Sequence, residues 1–456
     1  MRNDNDLPNG FTGYARRRAG FEPASEEVKK PLDASRNRVS VGFDAREALK
    51  YAKFDTDGAG ASVPHFDPDK LATMDDRDKR WAWVEINLNA IRHNVMEAKR
   101  VIGKDRKLLA VVKADAYGHG AVQVAKLALN SGAEYLGVAT VQEGIELREN
   151  MVGAPILLLS QPPAESIPAL LAYKIMPSIY DEEFAIRYGE IADLYGQRAP
   201  YHLAVNTGMN RIGVQHDEVV DFMHKISFHR ALDLVGVFTH FATADCPETL
   251  DFGIQARRFN EAIQALRAAG INPGIVHCAN SAALIRYPEV QFDMVRLGIA
   301  MYGYYPCPET VPLVDLHPAM SVHARITDTR LVPMSEGVSY GLHYRSPGSV
   351  KICTIPVGYA DGLRRGLSSK TNFVYKGRSV RQVGNICMDQ CMFEIDMRSH
   401  GTKERLDPQV GDEVLVVGED GDAMASIQQM ADTLDSIPHE ITIGFSHRMP
   451  RYYINK

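Results

Sequence analysis

A strand-then-helix rhythm, repeated eight times between residues 107 and 300, constrains this chain more than any other feature. The strand candidates are Leu108–Val112, Glu134–Ala139, Ile156–Leu159, Ile175–Tyr180, Tyr201–Val205, Leu234–Thr239, Ile275–Ala279 and Met294–Gly298. Most gaps hold an amphipathic helix: Ala121–Leu129, stopped by Asn130-Ser131-Gly132; one opening on Thr140-Val141-Gln142-Glu143 in the pattern of a capping box; and Gln255–Ala269. Eight alternations predict a (β/α)8 barrel. An open doubly wound sheet stays as the alternative, because local pattern cannot say whether a sheet closes.

On either side the rhythm changes. WAWVEINLNAIRHNV, from Trp81, reads as a short strand running into a helix. Residues 1–78 are rich in charge, Pro, Gly and Asp; one short helix near Ala45–Tyr51 is expected in an otherwise extended, poorly ordered or regulatory arm. After Ala319, Val322–Thr327, Val350–Val357, Phe373–Val383, Met392–Asp396 and Glu413–Val417 read as strands, and only Ser426–Leu434 as helix. The expected organisation is an N-terminal extension over 1–78, a barrel over 79–318 and a β-rich domain over 319–456.

Composition narrows the function classes. A formal charge of −6 gives no reason to expect nucleic-acid binding. No run of 18 apolar residues spans a bilayer, and the basic N-terminus, MRNDNDLPNGFTGYARRR, has no apolar stretch behind it to make a secretory signal. The six cysteines form no C-x-x-C pair, so neither a zinc site nor a disulfide scaffold is indicated; reduced thiols in a cytoplasmic protein are expected, and no metal.

In a barrel, chemistry collects just past the C-terminal strand ends. There the sequence places Lys113, then Arg211 within NTGMNR, His240 within THFATAD, Asn280-Ser281, and Arg296-Leu297-Gly298-Ile299. A lysine amine can form a Schiff base with an aldehyde, and N–H groups in a small-residue turn can cradle a phosphate. The set suits pyridoxal phosphate. Singly, each residue has an ordinary explanation: a solvated lysine, ion-paired arginines, a hydrogen-bonded histidine, and Ser281 as the cap of the next helix. Their joint place on one rim is what argues for a site.

These residues lie in motifs that resemble those of bacterial alanine racemases. AVVKADAYGHG, NTGMNRIGV, THFATAD, HCANSAA, VRLGIAMYG, VSYGLHY, IPVGYADG and GNICMDQ occur in the family's order from about residue 80 onward. The resemblance implies an isomerase that interconverts L- and D-alanine on pyridoxal phosphate by two bases, supplying D-alanine for peptidoglycan. It implies Lys113 as cofactor lysine and first base, and Tyr340 as second base reaching the opposite face from a partner subunit. A phenol titrates near 10 and needs a cationic or hydrogen-bonded setting for that role. Tyr117, Asn280, Ser281, Gly298 and Ile299 are implied around the phosphate and Arg211 at the cofactor's phenolic oxygen. Arg296 is implied at the ring nitrogen, with His240 behind the ring and linked to Arg296. Arg211, Tyr359 and Met388 are implied around the substrate, and a homodimer with shared sites follows.

The sequence departs from the family in three places. Ala204 stands where many members carry a modified lysine that braces the arginine, so Arg211 must find another brace, such as an anion, or none. His439 stands where a tyrosine usually meets the phosphate, which suggests a roomier pocket that tolerates serine beside alanine. The first 78 residues have no counterpart in short members. A broad-specificity or serine racemase, and a non-catalytic cofactor-binding protein, are the competing readings; the presence of both Lys113 and Tyr340 argues against the latter.

Overall fold

In a computed structural model of the chain, residues 75–397 and 406–455 are described. The helix expected near Ala45–Tyr51, with nearly all of the N-terminal extension, lies outside them. The first described element is one helical turn, Asp76–Lys79, capped by the Asp75 carboxylate. The Tyr452 hydroxyl donates to that same carboxylate at 2.8 Å.

All eight barrel strands form, each within two residues of its expected bounds. They are Lys107–Val111, Tyr135–Val138, Ile156–Leu158, Ile175–Ile179, Ala199–Asn206, Leu232–Phe238, Ile275–His277 and Met294–Leu297. Every neighbouring pair is parallel, and most positions are buried on both faces, which is why the strands read as continuous apolar runs. The eighth strand pairs with the first, Met294 opposite Lys107 and Leu297 opposite Ala110. Between the seventh and eighth the seam is held by two backbone bonds, Asp293 N–H to Val276 O at 3.0 Å and Arg296 N–H to Ala279 O at 2.9 Å. The barrel closes.

The helices form for the reasons legible in their ends. Asn87 caps Leu88–Ile102 by accepting from the N–H groups of Asn89 and Ala90. The capping box at Thr140 and Glu143 forms in full and starts Val141–Glu149. The helix expected over Gln255–Ala269 starts a turn earlier, at Leu250, and ends at Ala268.

The second sheet is antiparallel apart from one pairing. Across it run Asp328–Val332, Val350–Ile355, Cys391–Asp396, Arg378–Val383, Asn372–Tyr375, Glu413–Asp420, Met320–Arg325, Ala82–Asn87 and Arg451–Ile454. Three features correct the sequence reading. The single strand expected over Phe373–Val383 is a hairpin, turned at Lys376 (φ 48°) and Gly377 (φ 69°), whose positive φ values suit a tight two-residue loop. The strand Ala82–Asn87, inside the segment expected for the barrel, pairs instead with Met320–Arg325 and, in parallel, with Arg451–Ile454. A second C-terminal helix, Pro438–Gly444, also appears where only Ser426–Leu434 was expected to be helical. Proline at its start suits a first helical turn, where its missing N–H costs nothing.

Candidate active site

The C-terminal ends of the barrel strands open on a cavity of about 610 Å³, within the range of cofactor pockets. Lys113, Tyr117, Arg211, His240, Asn280, Ser281, Arg296, Gly298 and Ile299 all line it. Every residue expected to bind the cofactor therefore faces one space. Ala204 and His439 face it too. Three cationic side chains and one acidic one, Asp245, make it a place for an anion.

Lys113 follows the first strand and opens an unusual turn. Ala114, Asp115, Ala116 and Tyr117 all have φ between 51° and 55°, a left-handed turn without a glycine. Such backbone costs roughly 1–2 kcal/mol per residue, so the surroundings must hold it. Glu143 accepts from the Ala114 N–H at 2.7 Å, and with its other oxygen from the Ala139 N–H at 2.7 Å. Asp115 accepts from the N–H of Ala121 at 2.8 Å. Tyr117 packs on Tyr302, ring centroids 4.8 Å apart. Gly118 lets the helix Pro438–Gly444 come close: a Cβ there would lie 2.7 Å from the Thr442 carbonyl oxygen. Burial, and then the Arg211 guanidinium, hold the Lys113 amine below its ordinary pKa, while Glu143 pulls the other way.

At the eighth strand, Ser281 Oγ accepts from the N–H of Gly298 at 2.9 Å and of Ala300 at 3.4 Å. The helix cap expected of Ser281 is made by Asn280, whose side chain accepts from the Ala283 N–H. Gly298 keeps the cradle open, since a Cβ would sit 3.2 Å from the Tyr117 hydroxyl.

Arg296 lies beneath, 3% exposed. Its guanidinium donates to the carbonyls of Thr239 at 2.8 Å, Cys278 at 3.0 Å and His277 at 3.3 Å. It also bonds His240 Nδ1 at 3.1 Å, the expected link, and His277 Nδ1 at 3.0 Å, which sequence reasoning missed although HCANSAA contains it. Arg211 is exposed, with no hydrogen bond or ion pair among the described residues, and Ala204 offers it none.

Tyr340, Tyr359 and Met388 stand apart from the cavity lining. They are 73%, 41% and 53% exposed. The segment 385–388 ties them into one group: Asn385 Nδ2 donates to the Tyr340 carbonyl at 2.7 Å, and the N–H groups of Tyr359 and Ala360 donate to Cys387 O and Met388 O at 3.0 Å each. They cluster with one another and not with Lys113.

Four histidines, three of them fully buried and His240 half-buried, give the barrel mouth a pH signature. Burial is the main cause that pushes His119 down to about 4, His202 and His240 to about 3, and His277 well below 6.5. In the unfolded chain they regain an ordinary pKa, so below about pH 6.5 that state binds protons the native one refuses. Stability is expected to fall as pH drops from about 6.5 towards 4, by up to about 1.4 kcal/mol per pH unit for each ring. Urea midpoints at about pH 7.5 and 5.5 would show it; equal midpoints would mean the native rings protonate freely.

Comparison with known proteins agrees with this architecture. Residues 86–306 match the family described as alanine racemase, N-terminal domain, and residues 319–453 its C-terminal domain. The alanine racemase of Synechocystis sp. is 41% identical over 376 residues, 82% of this chain and 99% of that protein. The structure of alanine racemase from Clostridium difficile 630 is 38% identical with a TM-score of 0.77, covering 82% of this chain and 96% of that one. That of alanine racemase from Bacillus anthracis, solved with bound L-Ala-P, is 36% identical with a TM-score of 0.76, covering 82% and 95%.

Proposed function

The chain belongs to the alanine racemase family and interconverts L- and D-alanine; we propose that it does so with pyridoxal phosphate held by Lys113, in sites that two copies of the chain complete together. The observation that carries this reading is the meeting of a half-buried amine, two guanidiniums and a small-residue cradle at one barrel mouth. The residues fit the cofactor: its phosphate suits the side-chain-free space at Gly298, and its charge suits a lining with three cations.

When bound, the cofactor supplies the electron sink that makes the substrate's α-hydrogen acidic. Lys113 holds its aldehyde and afterwards, as a free amine, takes or returns the α-proton on one face. Its depressed pKa leaves more of the neutral base than an exposed lysine would offer. Ser281, its oxygen already accepting from Gly298 N–H, can turn its own proton to the phosphate beside Tyr117, Asn280 and Ile299. Arg211 would hold the phenolic oxygen. Arg296 would donate to the ring nitrogen, and since a guanidinium does not give up its proton, it would leave that nitrogen unprotonated. His240 backs the ring and supports Arg296.

The second base is Tyr340. It has a surface position in its own subunit, and a neighbouring copy that buries it would bring its hydroxyl to the face opposite Lys113. Tyr359 and Met388 would arrive with it and receive the substrate carboxylate. Bases on opposite faces invert the carbon, because one removes the proton and the other returns one.

All six cysteines are free thiols, in keeping with the reducing cytoplasm where we place the enzyme. Among the described residues no helix is long and apolar enough to cross a membrane. The direct test is visible absorbance of the purified protein together with formation of D-alanine from L-alanine. Lys113→Ala should lose both; an unchanged rate in that variant would end the proposal.

His439 favours a second, wider specificity. Its ring sits 5.5 Å from Tyr117, and its Nδ1 is buried without a hydrogen-bond partner. An imidazole reaches less far than a phenol, and a small hydroxyl is hard to exclude by a pocket that has room. Serine is therefore expected to be racemised with kcat/KM within about a thousandfold of alanine. A lower value would mean the pocket excludes it.

A further inference from the structure

We propose that His202, on the fifth barrel strand and outside the pocket lining, is a positioning residue that fixes the tautomer of His277 and so keeps Arg296 aimed. The inference rests on the proposed role of Arg296 towards the cofactor ring, and carries it one layer deeper.

The protons along this chain can be counted. A guanidinium has donors only. Every atom facing Arg296 must therefore offer a lone pair, and His277 Nδ1, at 3.0 Å, is one of them. His277 is fully buried and its pKa is held well below the ordinary value by burial and then by Arg296, so the ring is neutral. A neutral imidazole with a bare Nδ1 carries its proton on Nε2. That N–H needs an acceptor inside the barrel core, and the atom at 2.9 Å is His202 Nδ1. His202 Nδ1 must then be bare as well, which puts its own proton on Nε2. The order Arg296, His277, His202 runs one way only.

Three features are built around the second ring. His202 Nε2 is buried with no hydrogen-bond partner; an unmet buried donor is a cost that a residue kept for packing alone would not need to carry. Gly236 on the adjacent strand gives up its side chain for the ring, since a Cβ there would lie 2.6 Å from His202 Nδ1 and Cε1. The pairing of the two strands also shifts register between Tyr201 and His202, the kind of irregularity that re-aims a side chain. Without the acceptor, His277 is free to move its proton to Nδ1 or to turn over, and either change sets a donor or a carbon against the guanidinium.

Two variants separate the acceptor from the bulk. In His202→Asn the side-chain oxygen takes the place of Nδ1, whereas His202→Leu fills similar space with no acceptor. In 15N-histidine-labelled protein, the resonances of His277 should show a bare Nδ1 and a protonated Nε2 in the wild type and in His202→Asn, and a changed or averaged pair in His202→Leu. In loaded enzyme, kcat of His202→Leu should fall about tenfold to a hundredfold with KM changed less than about threefold, and His202→Asn should recover most of that loss. An unchanged His277 pattern and kcat in His202→Leu overturns the proposal. So does a His202→Asn variant as impaired as His202→Leu, because the ring would then matter only as bulk. A wild type without racemase activity would sink the proposed function, while the nitrogen resonances still decide the role of His202.

Discussion

A random mixture of Lys113→Ala and Tyr340→Phe subunits is expected to regain about a quarter of wild-type activity, although each variant alone is inactive. Each proposed site takes Lys113 from one copy and Tyr340 from the other. A hybrid dimer then has one site with both defects and one with neither. Random exchange makes half the dimers hybrid, and half of their sites are intact. Either variant alone loses a base at every site and should fall by at least about a thousandfold, the scale seen when a residue acting as part of a unit is removed. Co-expressing the two variants with different affinity tags separates the hybrids, and the doubly tagged fraction, being hybrid throughout, should show about half of wild-type activity. A doubly tagged fraction as inactive as the single variants would mean that Tyr340 does not serve a neighbour's site. The 73% exposure of Tyr340, in a group with Tyr359 and Met388, motivates the test.

Replacing Arg296 should cost stability as well as turnover. Arg296→Leu leaves the carbonyls of Thr239, Cys278 and His277 and two imidazole nitrogens without the donor they now share. Unmet buried acceptors cost roughly 1–3 kcal/mol each, partly relieved by relaxation and water, so a loss of at least about 3 kcal/mol is expected in urea unfolding. Activity should fall more than about a hundredfold, since the preorganised charge proposed to face the cofactor ring is removed. Arg296→Lys should recover only part of either loss, because one ammonium cannot supply five directed donors. A leucine variant as stable as the wild type would show that the guanidinium is a burden the core tolerates.

How much of this could be read in the residues themselves depended on the range of the forces involved. The barrel strands were legible because parallel strands buried on both faces leave continuous apolar runs such as Leu108–Val112, and Thr140 with Glu143 marks a helix start by local chemistry alone. The rim residues were legible as motifs, and the cavity gathers all nine of the expected cofactor contacts. Long-range pairing was not legible. Nothing in WAWVEIN says which sheet it joins, since that depends on Met320–Arg325 and Arg451–Ile454, over 230 and 360 residues away. The turn at Lys376 went unread because its first residue is not the asparagine or aspartate that usually marks such a loop. His202 and His277 went unread because a histidine in an apolar strand looks like a core residue until its neighbours are in place.

The strand Ala82–Asn87 also carries a lesson about timing. It leaves the ribosome early, yet both of its neighbours, Met320–Arg325 and Arg451–Ile454, are made only after the whole barrel. Until Arg451–Ile454 is released, a nascent chain keeps one edge of this strand without its final partner, a state prone to pairing with other chains. Fragments that stop short of residue 450 should therefore be hard to recover in soluble form, however complete their barrel, because the strand Arg451–Ile454 acts as a latch on Ala82–Asn87.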